Sequence, residues 1–298
     1  MVWIITFLFL AYTAIAGVHL FHLMGTYAIV DLPEDKVYEA YRYLRDIEEK
    51  LSDYIENSEV SRINRMAGKE PVDVSEETYR AIEEAIYVSK LTDGAFDITV
   101  GSYTINYKRL GLLSKDKALS LIDYKKIKLE KGKVFLEKEG MAIDLGGIGK
   151  GYAVESAYQK LNTPWGFISI AGDMKIWGHR RRIAVYDPMT GGVLLEGINR
   201  KDVCLSTSGN YFRKHIIGKP NNITQVTVAY KDCGITDGLS TGLYAMEDSK
   251  LEEFMTKYPE FGVLILYKNG RVVCNRSFLE YVDIIYIHAG SSCKAEQH

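Results

Sequence analysis

An α+β fold, built as one compact unit, is what this chain predicts, and three observations carry the prediction. Segments of helical period alternate with short β-patterned runs, no internal repeat appears, and no Pro- or Ser-rich linker divides the chain. With 298 residues and 47% hydrophobic content, the chain can bury a sizeable core as one large or two small domains. A two-lobed arrangement stays open, with the turn-rich stretch 101–117 as its natural hinge.

In chain order, residues 1–17 are apolar and uncharged, as in an export signal or short membrane anchor. Ala14-Ile15-Ala16 has the small-x-small form of a cleavage site, although no lysine or arginine precedes the apolar run. The competing reading is a hydrophobic N-terminal strand. Residues 34–56 place Val37, Ala40, Tyr41, Leu44, Ile47, Leu51 and Tyr54 on one face, which predicts an amphipathic helix of about six turns. Residues 75–91 predict a second helix, with Ser75 as N-cap, Glu76 and Glu77 in its first turn, and Asp93-Gly94 ending it. Short β patterns follow at 134–136, 167–170, 182–186 and 225–230, and 263–275 reads as a hairpin about Asn269-Gly270. Residues 286–298 read as a polar tail.

Composition narrows the partners. The net charge of −2 and the lack of any basic block beyond His179-Arg180-Arg181-Arg182, read as a solvated hairpin edge, argue against nucleic acid. The 21 tyrosines suit a pocket for a planar ligand and equally suit ordinary core and surface use. Cys204, Cys233, Cys274 and Cys293 lack metal-ligand spacing. An even number permits disulfides; buried thiols are the expectation for the first three, and an exposed position in the tail for Cys293.

Two segments carry chemistry. Ala142-Ile143-Asp144-Leu145-Gly146-Gly147-Ile148-Gly149-Lys150-Gly151 sets glycines and a lysine between a buried-strand pattern and a helix. Backbone N–H groups and a helix N-terminus can approach a phosphorylated ligand there. It is neither a P-loop nor a dinucleotide fingerprint, and a plain strand-to-helix turn is the alternative. The second segment, residues 236–246, reads as a helix start whose i, i+4 spacing puts the Asp237 carboxylate and Thr241 hydroxyl on one face. Two hard oxygen donors suit Mg²⁺ completed by phosphate oxygens and a backbone carbonyl. The alternative is that Asp237 caps its helix and Thr241 bonds its own backbone.

These motifs join a longer ordered series: Met24-Gly25-Thr26, Ser52-Asp53-Tyr54 with Ser58-Glu59-Val60-Ser61, Asp93-Gly94-Ala95-Phe96-Asp97, the glycine loop, Ala171-Gly172-Asp173, Thr207-Ser208-Gly209-Asn210-Tyr211 with His215-Ile216-Ile217, and Asp237 to Thr241. Over residues 24–283 the series closely resembles the ApbE family, FAD:protein FMN transferases that act outside the cytoplasm. The resemblance implies a T-fold-related α+β unit spanning 18–285. It also implies cleavage of the FAD pyrophosphate with Mg²⁺ (or Mn²⁺), release of AMP, and transfer of FMN to a threonine hydroxyl of an exported or membrane flavoprotein. Residue by residue, it implies FAD contacts at Met24, Tyr54, Ala95, Phe96, Asp97, Lys150, Gly172 and Asp173. The metal falls on Asp237, Thr241 and the Gly147 carbonyl, and His215 is the base for the threonine hydroxyl. The chain departs from the family pattern in three places. Gly218-Lys219-Pro220 replaces an Asp-Pro continuation, Ala171 replaces a glycine, and Glu155 replaces an aspartate. The first removes a carboxylate near His215 and bears on transfer more than on FAD binding. An FAD pyrophosphatase uses the same site with water as acceptor; a non-catalytic FAD-binding protein has less use for Asp237 and Thr241.

Overall fold

The computed structural model describes residues 17–210, 216–218, 221–287 and 293. The apolar start, 1–16, and His215 therefore lie outside the described residues. Among the described residues no helix is long and apolar enough to cross a membrane.

In chain order the elements are β1 (Val18–Leu23), β2 (Thr26–Asp31), α1 (Glu34–Leu51), α2 (Glu59–Arg65), β3 (Val72–Asp73) and α3 (Glu76–Leu91). A wide, π-type helix follows at Ser102–Arg109, then α4 (Lys115–Leu119), β4 (Ile127–Glu130), β5 (Lys133–Leu136) and α5 (Gly149–Leu161). Next come β6 (Gly166–Ile170), β7 (Asp173–Trp177), β8 (Arg182–Tyr186), β9 (Val193–Asn199), β10 (Val203–Ser208) and β11 (Ile223–Tyr230). The chain ends with α6 (Cys233–Ala245), α7 (Asp248–Lys257), β12 (Gly262–Tyr267), β13 (Val272–Cys274), α8 (Arg276–Tyr281) and β14 (Val282–Ile287).

Eight strands form the central sheet in the order β1-β2-β6-β7-β10-β11-β12-β13, and every pairing in it is antiparallel. The pleat sends alternate side chains to opposite faces. Val226, Val228, Val263 and Ile265 join a core with α1, α3, α5 and α6, whereas Leu205, Leu264 and Leu266 join a second core with α8 and the small sheet β14-β9-β8. Covered on both faces, β12 reads as the unbroken apolar run GVLILY.

The two long helices form where their apolar period predicts, and Ser75 caps α3 by accepting the Thr78 N–H. The first ends at Leu51 rather than residue 56, because Ser52 turns extended (φ −75°, ψ 122°) and releases Tyr54 from the apolar face. The expected strand before the glycine loop is not a strand. Residues 141–145 run without a ladder, and side chains satisfy their backbone. Asn64 bonds both the N–H and the carbonyl of Ile143, and Ser102 Oγ takes the Ala142 N–H. The stretch 101–117 holds the wide helix and α4, with Thr104 donating to Asp144 at 2.7 Å and Asn106 to the Gly140 carbonyl.

The cysteines correct the expectation of free thiols. Cys204 bonds to Cys233, and Cys274, on the edge strand β13, bonds to Cys293. Strand β14 runs to Ile287 and so takes in residues 286 and 287, the first two of the stretch read as a polar tail. The basic run is only partly a solvated edge. Arg181 lies over the Phe167 ring and pairs with Asp31 at 2.6 Å.

Candidate active site

Three sheet features meet at one end of the central sheet. The β1–β2 turn is Met24-Gly25, and the β6–β7 turn is Ala171-Gly172; both residues of each turn have positive φ, as two-residue hairpins of this twist require. Pairing of Ala28 with Ile170 and of Leu205 with Met174 brings both turns and the end of β10 to the same side. Asp173, the first residue of β7, is therefore presented at that edge, almost fully buried.

The helical layer supplies the other wall. Helix α6 starts at Cys233 with Asp232 as N-cap, so Asp237 lies in its second turn and not at a helix start, and it does not cap its own helix. Its carboxylate, 2% exposed, instead takes the backbone N–H of Gly151 at 3.0 Å, in the first turn of α5. That N–H belongs to the group a helix start leaves without an intrahelical partner. The approach needs glycine: a Cβ on Gly151 would stand 2.1 Å from the Cys233 carbonyl oxygen and 2.6 Å from Asp237 Cβ.

Lys150 reaches between two carboxylates. Its ammonium is 2.9 Å from Asp173 Oδ2 and 3.6 Å from Asp237 Oδ2, with its side chain 26% exposed. Burial alone would lower the lysine pKa; the two carboxylates outweigh it and hold the group above its ordinary value. Burial, then the charge of Asp173, pushes Asp237 up to about 7 against the opposing pull of Lys150 and Gly151. Two buried acids facing one lysine leave an unbalanced negative charge, a setting that favours a cation.

From Asp173 a chain of hydroxyls crosses to the glycine loop. Ser206 Oγ donates to Asp173 Oδ1 at 2.5 Å and lies 3.0 Å from Ser240 Oγ. Ser240 lies 2.7 Å from Ser208 Oγ, and Ser208 lies 3.2 Å from Thr241 Oγ1, which is 3.4 Å from the Gly147 carbonyl. A Cβ on Gly147 would fill the space against Thr241 Cγ2 at 3.1 Å and the Phe96 ring at 3.2 Å. The donors gathered here are all oxygens, a carboxylate, a hydroxyl and a carbonyl, which fits Mg²⁺ or Mn²⁺ better than a soft metal.

The structure thus brings Gly147, Lys150, Asp173, Asp237 and Thr241 together and sets Gly172 beside them. Phe96, 4% exposed, floors the loop instead of facing outward. Ala95 precedes it in the turn after α3, its N–H on the Thr92 carbonyl. The Asp97 carboxylate is committed to the fold, accepting from the Thr99 N–H and hydroxyl and from the Tyr124 N–H. Met24 gives its N–H to Glu48. Tyr54 is 81% exposed, with the Arg109 guanidinium 4.2 Å over its ring. Asn210, two residues past β10, bonds the N–H and carbonyl of Ile216. The sequence motifs contain Ser208 and Ser240 without giving either a role, and Ser206 falls just outside them. Their signal is spacing: Ser206 and Ser208 share one strand face, and Ser240 adjoins Thr241.

A second cluster, Glu155 with Cys204 and Cys233, has ligand-like proximity, but its sulfurs are bonded to each other and Glu155 is paired with Lys175 at 2.7 Å.

A profile of the ApbE family matches residues 24–265, which takes in every one of the gathered site residues. The chain belongs to the ApbE family. Among curated relatives, it is 30% identical to the FAD:protein FMN transferase of Vibrio cholerae over 248 residues, covering 71% of this chain and 73% of that protein. It is 28% identical to the Haemophilus influenzae enzyme of the same name over 254 residues, covering 72% and 73%. The ApbE protein of Thermotoga maritima superposes with a TM-score of 0.78 at 27% identity, covering 88% of this chain and 97% of that one. The flavin transferase ApbE of Vibrio cholerae gives 0.76 at 24% identity, with 89% and 98% covered. These likenesses show an ApbE fold around the Lys150 cluster.

Proposed function

We propose that this ApbE-family protein is a metal-dependent FAD:protein FMN transferase that works outside the cytoplasm and modifies a threonine of an exported or membrane flavoprotein. The observation that carries the reading is Lys150 held between buried Asp173 and Asp237, beside the Gly147 carbonyl and Thr241 hydroxyl. A site of this kind addresses a pyrophosphate, which FAD has and FMN lacks. Export is supported by the uncharged apolar run at 1–17.

Asp237, Thr241 and the Gly147 carbonyl would hold a divalent cation, whose chemistry is to neutralise charge on the pyrophosphate oxygens. Lys150 adds a second positive charge and orients the phosphates, and Asp173 and the serines hold Lys150 and Thr241 in place. In the reaction, the acceptor hydroxyl oxygen bonds to the FMN-side phosphorus, the pyrophosphate bridge breaks, and AMP leaves with the bridging oxygen. The hydroxyl proton passes to His215 as general base, a role worth on the order of 10²–10⁴ in rate.

The deciding experiment incubates the protein with FAD, Mg²⁺ and a candidate acceptor, and follows both AMP release and flavin fluorescence that survives denaturation. The parent should bind FAD more tightly than FMN and label the acceptor. Asp237→Ala should abolish AMP release, Thr241→Ala should weaken it less, and His215→Asn should suppress labelling far more than FAD binding. Free FMN and AMP with no labelled acceptor would establish the pyrophosphatase instead; intact FAD throughout would leave a binding protein.

A further inference from the structure

The disulfide nearest the site joins the two elements on which the hydroxyl chain is built. Cys204 lies on β10 and Cys233 opens α6; their Cα atoms are 5.0 Å apart across 29 residues of sequence, and both side chains are buried. Residues i, i+2 and i+4 of a strand share a face, so Cys204, Ser206 and Ser208 form one row toward the helices. On the helix, Asp237 lies about one turn beyond Cys233, and Ser240 and Thr241 about one turn further. The disulfide is therefore the first rung of a ladder whose next rungs are Ser206 with Ser240, and Ser208 with Ser240 and Thr241.

The rungs differ in what they can specify. A serine hydroxyl is donor and acceptor at once and rotates freely, so Ser206 and Ser208 accept either neighbour on the helix and do not by themselves set how far α6 slides along β10. A covalent bond at the adjoining rung does. The surroundings support that bond, because Cys233 N–H is held by Glu155 and Lys175 bridges Glu155, the Lys231 carbonyl and the edge of Cys204 Sγ.

We infer that the Cys204–Cys233 disulfide is a positioning device for the site: by fixing the register of α6 on β10 it aims Asp237 and Thr241, so affinity for the divalent cation and for FAD depends on its formation. The inference rests on the functional reading above. Forming the bond takes two protons and two electrons from the thiols, and a disulfide oxidant receives them and becomes two thiols. The other disulfide is an internal control. Cys274 lies on β13, at the far edge of the sheet from β1, and pairs with Cys293.

The test titrates Mn²⁺ by electron paramagnetic resonance and FAD by fluorescence, on the parent, on C204A/C233A and on C274A/C293A, each checked for folding by circular dichroism. The expected result is a ten-fold or greater loss of Mn²⁺ affinity and of metal-dependent FAD affinity in C204A/C233A, with C274A/C293A within two-fold of the parent. A purely structural staple would lower the unfolding temperature and leave Mn²⁺ affinity alone, and that result overturns the inference. So does finding both cysteines as free thiols in parent protein purified without reductant. If C204A/C233A does not fold, C204V/C233A restores lost volume without the bond; if that also fails, the parent refolded under dithiothreitol is compared with the oxidised parent by the same criterion. A parent that binds neither Mn²⁺ nor FAD overturns the functional reading and this inference together; a parent that binds both, with the disulfide-free protein equal to it, overturns this inference alone.

Discussion

Ala171 shows how one side chain can depart from a family pattern and still fold. It sits at φ 53° in the β6–β7 turn, in the left-handed region that costs a residue with a Cβ about 1–2 kcal/mol. The glycine expected there avoids that cost and loses part of the gain to its freer unfolded chain. Ala171→Gly should therefore stabilise the protein by about 0.5–1 kcal/mol, read as a higher urea midpoint at unchanged slope. Glu84 is a stranger case. Burial first, then the charge of Asp232 and its hydrogen bond, pushes its carboxyl up to about 9, and Oε1 has no partner among the described residues. Between its ordinary value near 4.5 and about 9, the folded state keeps a proton that the unfolded chain has released, so this group makes stability fall as pH rises through that window. Glu84→Gln removes the ionisation, and its stability advantage over the parent should grow between pH 5 and 8.5, by at most about 1.4 kcal/mol per pH unit. Urea unfolding at three pH values checks it; a constant gap would assign the effect to packing.

At the scale of elements, the contact between α5 and α6 is what makes the site. Helix α5 brings the glycine loop and Lys150, and α6 brings Asp237, Ser240 and Thr241. They approach closely because position 151 has no side chain, and one carboxylate of α6 serves the open N-terminus of α5. Gly151→Ala should separate them, costing about 1–3 kcal/mol or more from overpacking and lowering FAD affinity at the same time. Denaturant unfolding together with FAD titration checks this; a stable variant with parental affinity would show that the helices tolerate the shift. The helices themselves were legible from sequence, since 34–51 and 76–91 bury one face each and Ser75 is a strong cap. The segment before the loop was not, because Asn64 and Ser102, 79 and 40 residues away in sequence, replace a strand partner there.

For the whole molecule, the site unites four regions distant in sequence: the glycine loop, the β6–β7 turn, the end of β10 and the second turn of α6. A ligand that bridges them binds only the folded chain. At free FAD one hundred times its dissociation constant, with Mg²⁺ present, the stabilisation should be about 2.7 kcal/mol, or on the order of 5 °C in unfolding temperature for a chain of this size. Removing the metal with a chelator should withdraw most of that shift. Differential scanning calorimetry with FAD, FMN and chelator measures it, and an equal shift with FMN would argue against a pyrophosphate site.

The sequence by itself determined the α+β class, the main amphipathic helices, the hairpin at Asn269-Gly270 and the family, because period, capping and ordered motifs are local properties written in neighbouring residues. It also singled out Lys150, Asp173, Asp237 and Thr241. Only the tertiary structure decided what those residues do to one another. Asp237 serves α5 and not its own helix, Lys150 is shared by two acids, and Asp97 holds the Tyr124 N–H as well as its own turn. Ser206 joins the site without a motif to announce it, and the contacts of Ser208 and Ser240 with each other and with Thr241 are set only by packing of β10 on α6. The reason is physical: hydrogen bonds, disulfides and pKa values depend on distances across the fold, and those are set by how the sheet and the helices pack, not by separation along the chain.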